Sequence, residues 1–202
     1  MIQIYEQYPL TLKAINFLNE NNPSNNAPYH GIDHLFEVFK FSYSISQFVP
    51  DNDEINKLEL LIACLFHDYN HSCGKLKDSE NISNAIDGLT MFHKIYPEFD
   101  LKITKDIIRA TEYPYTLPDE DLTIEQKIIR DSDMCYLFND ISIVKLYQGL
   151  RTEFNQNLDV FLSNQGKFLD NVHFYTDKCQ LMWSYSYKDV RKKELEMLIK
   201  NQ

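Results

Sequence analysis

Apolar residues recur with the period of an α-helix along most of the chain. The clearest example is a set of apolar residues at positions i, i+3, i+4, i+7 and i+11, namely Ile32, Leu35, Phe36, Phe39 and Tyr43. This spacing puts all of them on one face of a helix. Residues 58–66 are almost continuously apolar, which predicts a helix that is buried on every side.

Local signals mark where other helices begin and end. Thr123 precedes Gln126 by three residues, which is the spacing of a capping box. We expect a helix that begins there and runs through Phe138, and Pro114 and Pro118 interrupt the chain before it. The remaining predicted helices lie within residues 79–95, 101–112, 141–171 and 180–200, and residues 19–26 form a predicted loop.

The pattern predicts an all-α protein. No pair of segments shows the convincing alternation of apolar and polar residues that is typical of paired strands. The 202 residues are 44% apolar, enough for one sizeable core. No change in composition divides the chain, so we expect a single compact helical bundle that covers residues 1–202.

The charge of the chain limits its partners. The formal net charge is −10, which argues against general nucleic-acid binding and against binding to an anionic membrane surface. A strongly anionic substrate would need local cations, and metal ions could supply them. The five glycines form none of the glycine-rich phosphate-binding motifs.

Several features predict a cytoplasmic protein. The chain has no apolar run long enough to cross a membrane, and its first residues lack the pattern of a signal peptide. The cysteines form no Cys-x-x-Cys pair, and two of them lie within apolar runs; the four are Cys64, Cys73, Cys135 and Cys179. We expect reduced and mostly buried thiols.

The placement of histidines and aspartates predicts a metal site. His30 and His34 are four residues apart, so one helical turn can bring both to the same side. His67 and Asp68 end the most apolar predicted helix, and His71 follows four residues after His67. Burying an imidazole beside a carboxylate is costly unless something compensates it, and a divalent cation compensates both groups together.

A second acidic pair lies later in the chain. Asp131 and Asp133 both have apolar neighbours, so helical geometry alone does not choose between them. Imidazole nitrogens together with carboxylate oxygens suit zinc, iron, manganese or magnesium. The residue types therefore predict a divalent metal of one of these kinds.

The order of His34, then His67-Asp68, then a late aspartate resembles the HD-domain superfamily of metal-dependent phosphohydrolases. The resemblance covers approximately residues 29–136. It implies a helical bundle of the HD-domain type in which His34, His67, Asp68 and Asp133 hold one metal ion. It further implies two divalent ions, with Asp68 bridging to the second.

One branch of the superfamily, the class I cyclic-nucleotide phosphodiesterases, is similar at three places. The segments are YHGIDH at 29–34, HDYNH at 67–71 and ATE at 110–112. Gly31 and Glu112 depart from the residues of that family. The resemblance implies that Tyr29 contacts substrate, that His30 protonates the leaving oxygen, and that Thr111 lies next to the metal ligands.

The other branch comprises small bacterial HD phosphohydrolases of unassigned substrate. Its motifs are similar to DSENIS at 78–83 and DSDM at 131–134. Both branches have the metal-binding aspartate between a small and an apolar residue, which selects Asp133 and leaves Asp131 in the layer behind the ligands. The resemblance also implies that His71 and Glu80 orient water beside the metals.

The C-terminal part contains a third similarity to the phosphodiesterases. Gln165 and Phe168 match a Gln-x-x-Phe pattern in which glutamine reads a purine edge and phenylalanine stacks on the ring. Ordinary helix residues would give the same short pattern, so both interpretations stay open. The favoured activity is hydrolysis of a cyclic nucleotide or a related nucleotide ester, and the alternatives are a nucleotidase and a silent nucleotide-binding domain.

Overall fold

A computed structural model describes residues 2–50, 54–139 and 143–201. This part of the chain contains eleven α-helices and no β-strand, which confirms the predicted all-α class. The helices are α1 Ile2–Gln7, α2 Pro9–Asn21, α3 Ile32–Ser46, α4 Lys57–Phe66, α5 Asp78–Ile95, α6 Leu101–Arg109, α7 Ile124–Asp133, α8 Ile143–Glu153, α9 Leu158–Asn171, α10 Asp177–Met182 and α11 Lys188–Lys200.

Helix α4 forms the centre of the bundle. Every residue from Leu60 to Phe66 is buried, as its continuous apolar sequence predicts. Helices α2, α3, α5, α6 and α7 all contact it. Because the helix is surrounded, the polar residues that follow Phe66 emerge inside the protein.

Helix α7 begins as predicted but ends earlier. The Thr123 hydroxyl accepts a hydrogen bond from the Gln126 amide at 3.3 Å, and the Gln126 side chain accepts one from the Thr123 amide at 3.0 Å. The predicted continuation through Phe138 is wrong, because a 3₁₀ turn over Cys135–Phe138 follows the helix. Its tighter hydrogen bonding leaves Asp133 as the last residue of α7.

The loop between α2 and α3 leads directly into the first histidine segment. Helix α2 extends to Asn21, so the loop begins later than predicted. A Cβ atom at Gly31 would lie only 2.7 Å from the carbonyl oxygen of Ala27. The close approach of the loop to the start of α3 therefore requires glycine at this position.

The C-terminal helices pack together, and α11 contacts both α8 and α9. A π-helical turn, Trp183–Tyr187, joins α10 to α11. The four cysteines are free, and all except Cys73 are buried. Within the described segments, every helix is too short or too polar to cross a bilayer.

Candidate metal centre

Three helices bring the predicted metal ligands together. His34 lies in the first turn of α3, His67 and Asp68 follow α4 directly, and Asp133 ends α7. Helices α3, α4 and α7 contact one another. The convergence therefore results from the packing of the central helices.

The four side chains form a compact cluster. His34 Nε2 lies 3.1 Å from Asp133 Oδ1 and 3.3 Å from Asp68 Oδ2. His67 Nε2 lies 3.2 Å from Asp68 Oδ2 and 3.5 Å from Asp133 Oδ1. One donor atom from each residue lies within 4.8 Å of all the others, an arrangement that could hold a metal ion.

The hydrogen bonding of His67 supports this fit. Its Nδ1 lies 2.8 Å from the carbonyl oxygen of Cys64, which can only accept, so Nδ1 carries a proton. Its Nε2 is buried, and among the described residues it forms no hydrogen bond of acceptable geometry, although Asp68 Oδ2 lies 3.2 Å away. In the neutral ring this atom presents a lone pair towards two carboxylates, and a divalent cation would satisfy all three groups.

The acids and imidazoles of the cluster are electrostatically coupled. Burial lowers the pKa of His34, but its hydrogen bonds with Asp133 and Asp68 raise that pKa to about 9. Burial raises the pKa of Asp133, but its hydrogen bonds with His34 and His67 hold that pKa well below its usual value. The carboxylates are therefore ionised at neutral pH, as metal ligands must be.

His30 is held by Glu153, a residue that no sequence pattern predicts to lie in the site. Its Nδ1 lies 2.5 Å from Glu153 Oε2, while the other carboxylate oxygen accepts from the amides of Tyr29 and His30 at 2.6 and 2.9 Å. Burial raises the pKa of Glu153, but these hydrogen bonds and the charge of His30 bring it below its usual value. Glu153 is 123 residues from His30 in sequence, so no local pattern marks it.

The His71 ring packs against the His30 ring, with 3.9 Å between the centroids and 31° between the ring planes. The Cys73 amide donates to His71 Nδ1 at 3.2 Å, so the proton of the neutral ring lies on Nε2. Burial lowers the pKa of His71 to about 4, with a contribution from nearby His30. His30, His71 and Glu153 also offer ligand atoms within 4.8 Å of one another, a second group that could hold a cation.

A cavity of about 480 Å³ opens beside the cluster. Its lining includes the two cluster carboxylates, and the sequence-predicted site residues His30, His71, Thr111, Gln165 and Phe168 line it together with Asp78. The size is typical of sites that bind small molecules. The structure thus brings Gln165 and Phe168 to the same cavity as the candidate metal ligands.

Tyr29 and Glu80 do not line this cavity, and the roles that the resemblance implies for them stay predictions. The Tyr29 ring packs against the His34 ring, with centroids 4.9 Å apart, and lines a separate cavity. Glu80 is exposed, and its carboxylate accepts from the Lys77 amide at 3.1 Å to cap α5. The acid of this segment that lines the cavity is Asp78.

The hydrogen bonds of Asp131 are formed with the segment that precedes α10, and its predicted position behind the metal ligands stays a prediction. Its carboxylate accepts hydrogen bonds from the Tyr175 amide, the Thr176 amide and the Thr176 hydroxyl at 2.8, 2.8 and 2.6 Å. Two residues turn a helix by roughly 200°, so Asp131 and Asp133 point in nearly opposite directions. Asp131 anchors the segment that precedes α10, and burial raises its pKa to about 6 despite those bonds.

Comparison with known families gives one match. The HD domain family model matches residues 31–136, just over half of the chain. That range begins before α3 and ends after α7, so it contains all four cluster residues. No curated protein and no solved structure matches the chain.

Proposed function

We propose that this chain, which belongs to the HD-domain family of metal-dependent phosphohydrolases, cleaves a phosphodiester bond of a cyclic nucleotide or a related nucleotide ester. The observation that carries the proposal is one cavity lined both by the carboxylates of the cluster and by a potential base-binding pair. The carboxylates belong to Asp68 and Asp133, and the pair is Gln165 and Phe168.

The four cluster residues would hold a divalent metal, and Asp68 would share its carboxylate with a second. Such ions acidify water and neutralise phosphate charge. His34 and His67 are buried behind the carboxylates. They would supply the nitrogen ligands, and the Cys64 carbonyl keeps the Nε2 of His67 free for that purpose.

His30 is the proposed general acid. Its Nδ1 is engaged by Glu153, so Nε2 is the nitrogen available to give a proton to the leaving oxygen. Glu153 fixes the orientation of the ring and would stabilise its positive charge before the transfer. His71 carries its proton on Nε2 and would donate a hydrogen bond from beside His30.

Gln165 and Phe168 would hold the nucleobase. A ring stacked on Phe168 contributes about 1–3 kcal/mol, and the Gln165 amide can both donate and accept along a base edge. Both side chains are half-buried, and both belong to α9. Their separation by three residues lets the two side chains project from one side of the helix.

The test is a screen of cyclic and linear nucleotides with manganese, magnesium, zinc or iron(II), read by product chromatography. We expect conversion of at least one cyclic nucleotide to its monophosphate, with no conversion when a chelator is present. The Asp68→Asn protein, purified in the same way, is the control for contaminating hydrolases, because any activity that it shows cannot come from the metal cluster. Metal binding without turnover of any phosphoester would contradict the proposal and favour a silent nucleotide-binding domain.

A nucleotidase is the second candidate. Asp78 favours it, because this residue begins the segment that resembles the small bacterial phosphohydrolases and it lines the cavity. The same screen separates the two activities. A nucleotidase would release inorganic phosphate from nucleoside monophosphates and leave the cyclic nucleotides intact.

A further inference from the structure

A second cavity adjoins the one beside the candidate metal centre. Its volume is about 400 Å³. Four residues line both cavities: Tyr113, Met134, Asn164 and Phe168. A ligand that stacks on Phe168 could therefore reach into both spaces at once.

Arg130 is the buried cation of this second cavity. The residue is 2% exposed, and its guanidinium carbon lies 3.9 Å from the ring centroid of Tyr115 and 5.4 Å from that of Tyr175. Its Nε donates to the Ala110 carbonyl at 2.6 Å, and Nη1 donates to the Tyr175 hydroxyl at 3.3 Å. In the described part of the chain, no carboxylate forms an ion pair with it.

A buried guanidinium without a carboxylate is unusual, because desolvated charges are normally paired. Aromatic faces compensate part of the cost. Asp131 is the adjacent acid in sequence, but its oxygens are engaged by Tyr175 and Thr176. The Arg130 guanidinium therefore borders the cavity without a carboxylate partner among the described residues.

The rest of the lining has the same electrostatic character. It contains no aspartate or glutamate, although the chain has 30 acidic and 20 basic residues. Lys167 is an exposed lining residue without an ion pair among the described residues. His173 lines the cavity too and lies 3.4 Å from exposed Asp119. In this acidic protein, such a lining favours an anion.

We propose that this cavity is an anion subsite for the second, non-scissile phosphate of a dinucleotide substrate. The inference rests on the proposed function for the scissile phosphate, while the binding of an anion next to Arg130 and Lys167 requires neither metal nor turnover. The ribose of the nucleoside whose base stacks on Phe168 would connect the two phosphates, and Phe168 lines both cavities. The aromatic rings of Tyr113, Tyr115 and Tyr175 provide further stacking surface for the second nucleoside.

Binding to metal-free protein tests the anion subsite by itself. Isothermal titration calorimetry in chelator and low salt compares adenosine with adenosine 5′-monophosphate. We expect the monophosphate to bind about tenfold or more tightly, the effect of a hydrogen-bonded charged group. Lys167→Ala and Arg130→Lys should reduce this preference, whereas Lys94→Ala, a change of an exposed lysine outside the cavity, should not.

Kinetics with metal test the dinucleotide assignment. Lys167→Ala should raise KM for the linear dinucleotide pApA several-fold and leave KM for a cyclic mononucleotide unchanged. If the protein binds adenosine 5′-monophosphate more tightly than adenosine but hydrolyses no nucleotide, the anion subsite is supported and only the proposed function is contradicted. Equal binding of adenosine and the monophosphate, or a preference that neither variant changes, would overturn the subsite and leave Arg130 as a structural clamp. Melting curves test whether the Arg130→Lys protein is folded. Because Lys167 is exposed, Lys167→Ala tests the subsite without changing a buried residue.

Discussion

A single backbone contact decides the tautomer of His67. The Cys64 carbonyl belongs to the last turn of α4, where carbonyl groups lack partners within the helix. It accepts the Nδ1 proton of His67 at 2.8 Å, and this leaves Nε2 facing Asp68 and Asp133. The end of this buried helix therefore orients a candidate metal ligand without needing another side chain.

The carboxylate of Asp68 contacts both cluster histidines. Asp68→Asn should lose most bound metal and most activity, because a neutral amide is a far weaker ligand for a divalent ion. Elemental analysis after gel filtration measures the metal content. Asp87→Asn is the matched control, since Asp87 is exposed on α5. Full metal occupancy and activity in Asp68→Asn protein would refute the ligand assignment.

His30 should be separable from metal binding. His30→Ala should retain the metal and slow the reaction by about 10²–10⁴-fold, the usual contribution of a general acid. Glu153→Gln should cause a smaller loss, because the ring remains but its orienting carboxylate is gone. Metal content and kcat are measured on the same preparations. A lower kcat with unchanged metal content indicates a role in proton transfer, whereas loss of metal indicates a role as a ligand.

The identity of the leaving group provides the control for this role. An activated ester such as p-nitrophenyl phosphate needs little protonation, so His30→Ala should impair its hydrolysis least. A poor leaving group should be affected most. Equal losses on both substrates, or loss of metal, would indicate that His30 is structural.

At the scale of elements, α9 carries the residues proposed to hold the base. Phe168→Ala should raise KM for a cyclic nucleotide about tenfold and leave turnover of p-nitrophenyl phosphate nearly unchanged. Gln165→Ala should alter the preference between adenine and guanine. Phe48→Ala, at a residue 60% exposed and outside the cavity, controls for the loss of a phenyl ring. A uniform loss on all substrates with a lower Tm would mean that Phe168 only packs the core.

The packing of α5 against the central region depends on Gly88. A Cβ atom there would lie 2.5 Å from Cγ of Tyr69, whose hydroxyl donates to the Asn21 carbonyl at 2.8 Å. Gly88→Ala should therefore destabilise the fold by about 1–3 kcal/mol, the usual effect of overpacking. Urea unfolding followed by circular dichroism measures the change.

Gly166 provides the matched helical control for that substitution. A Cβ atom at Gly166 would meet Leu195 at 3.6 Å, an ordinary contact. Gly166→Ala should raise the free energy of unfolding by about 0.5–1 kcal/mol, because alanine loses less backbone entropy in a helix. Equal effects of the two substitutions would show that the contact with Tyr69 is unimportant.

For the whole molecule, the candidate metal centre combines residues from α3, from the end of α4 and from α7, which are far apart in sequence. A ligand that binds only the folded state stabilises it by about 2.7 kcal/mol at a hundred times its Kd. Chelation should therefore lower Tm by several degrees, and adding metal back should restore it. The Asp68→Asn variant should show little response to either treatment. A chelator-insensitive Tm in a metal-loaded wild-type protein would contradict the coupling of the metal to the fold.

The sequence predicted the helical class and most helices because hydrophobic periodicity and capping are local properties. The cluster could also be predicted from the sequence. His67 and Asp68 follow an unusually apolar helix, and the family resemblance selected Asp133. The assignment of residues 1–202 to one domain stays a prediction. The early end of α7 was missed because hydrogen bonding after Asp133, and not residue type, decides where that helix stops.

The tertiary structure decided which polar residues meet. Glu153 reaches His30 only because the end of α8 packs beside the loop that precedes α3, and nothing near either residue in sequence marks that contact. Packing also decides that Asp133, and not Asp131, meets the two histidines, because it determines which face of α7 is turned towards α3 and α4. The packing of α7 likewise places Arg130 in the lining of the second cavity. Periodicity determines which residues share a helix face, but only packing determines what that face meets.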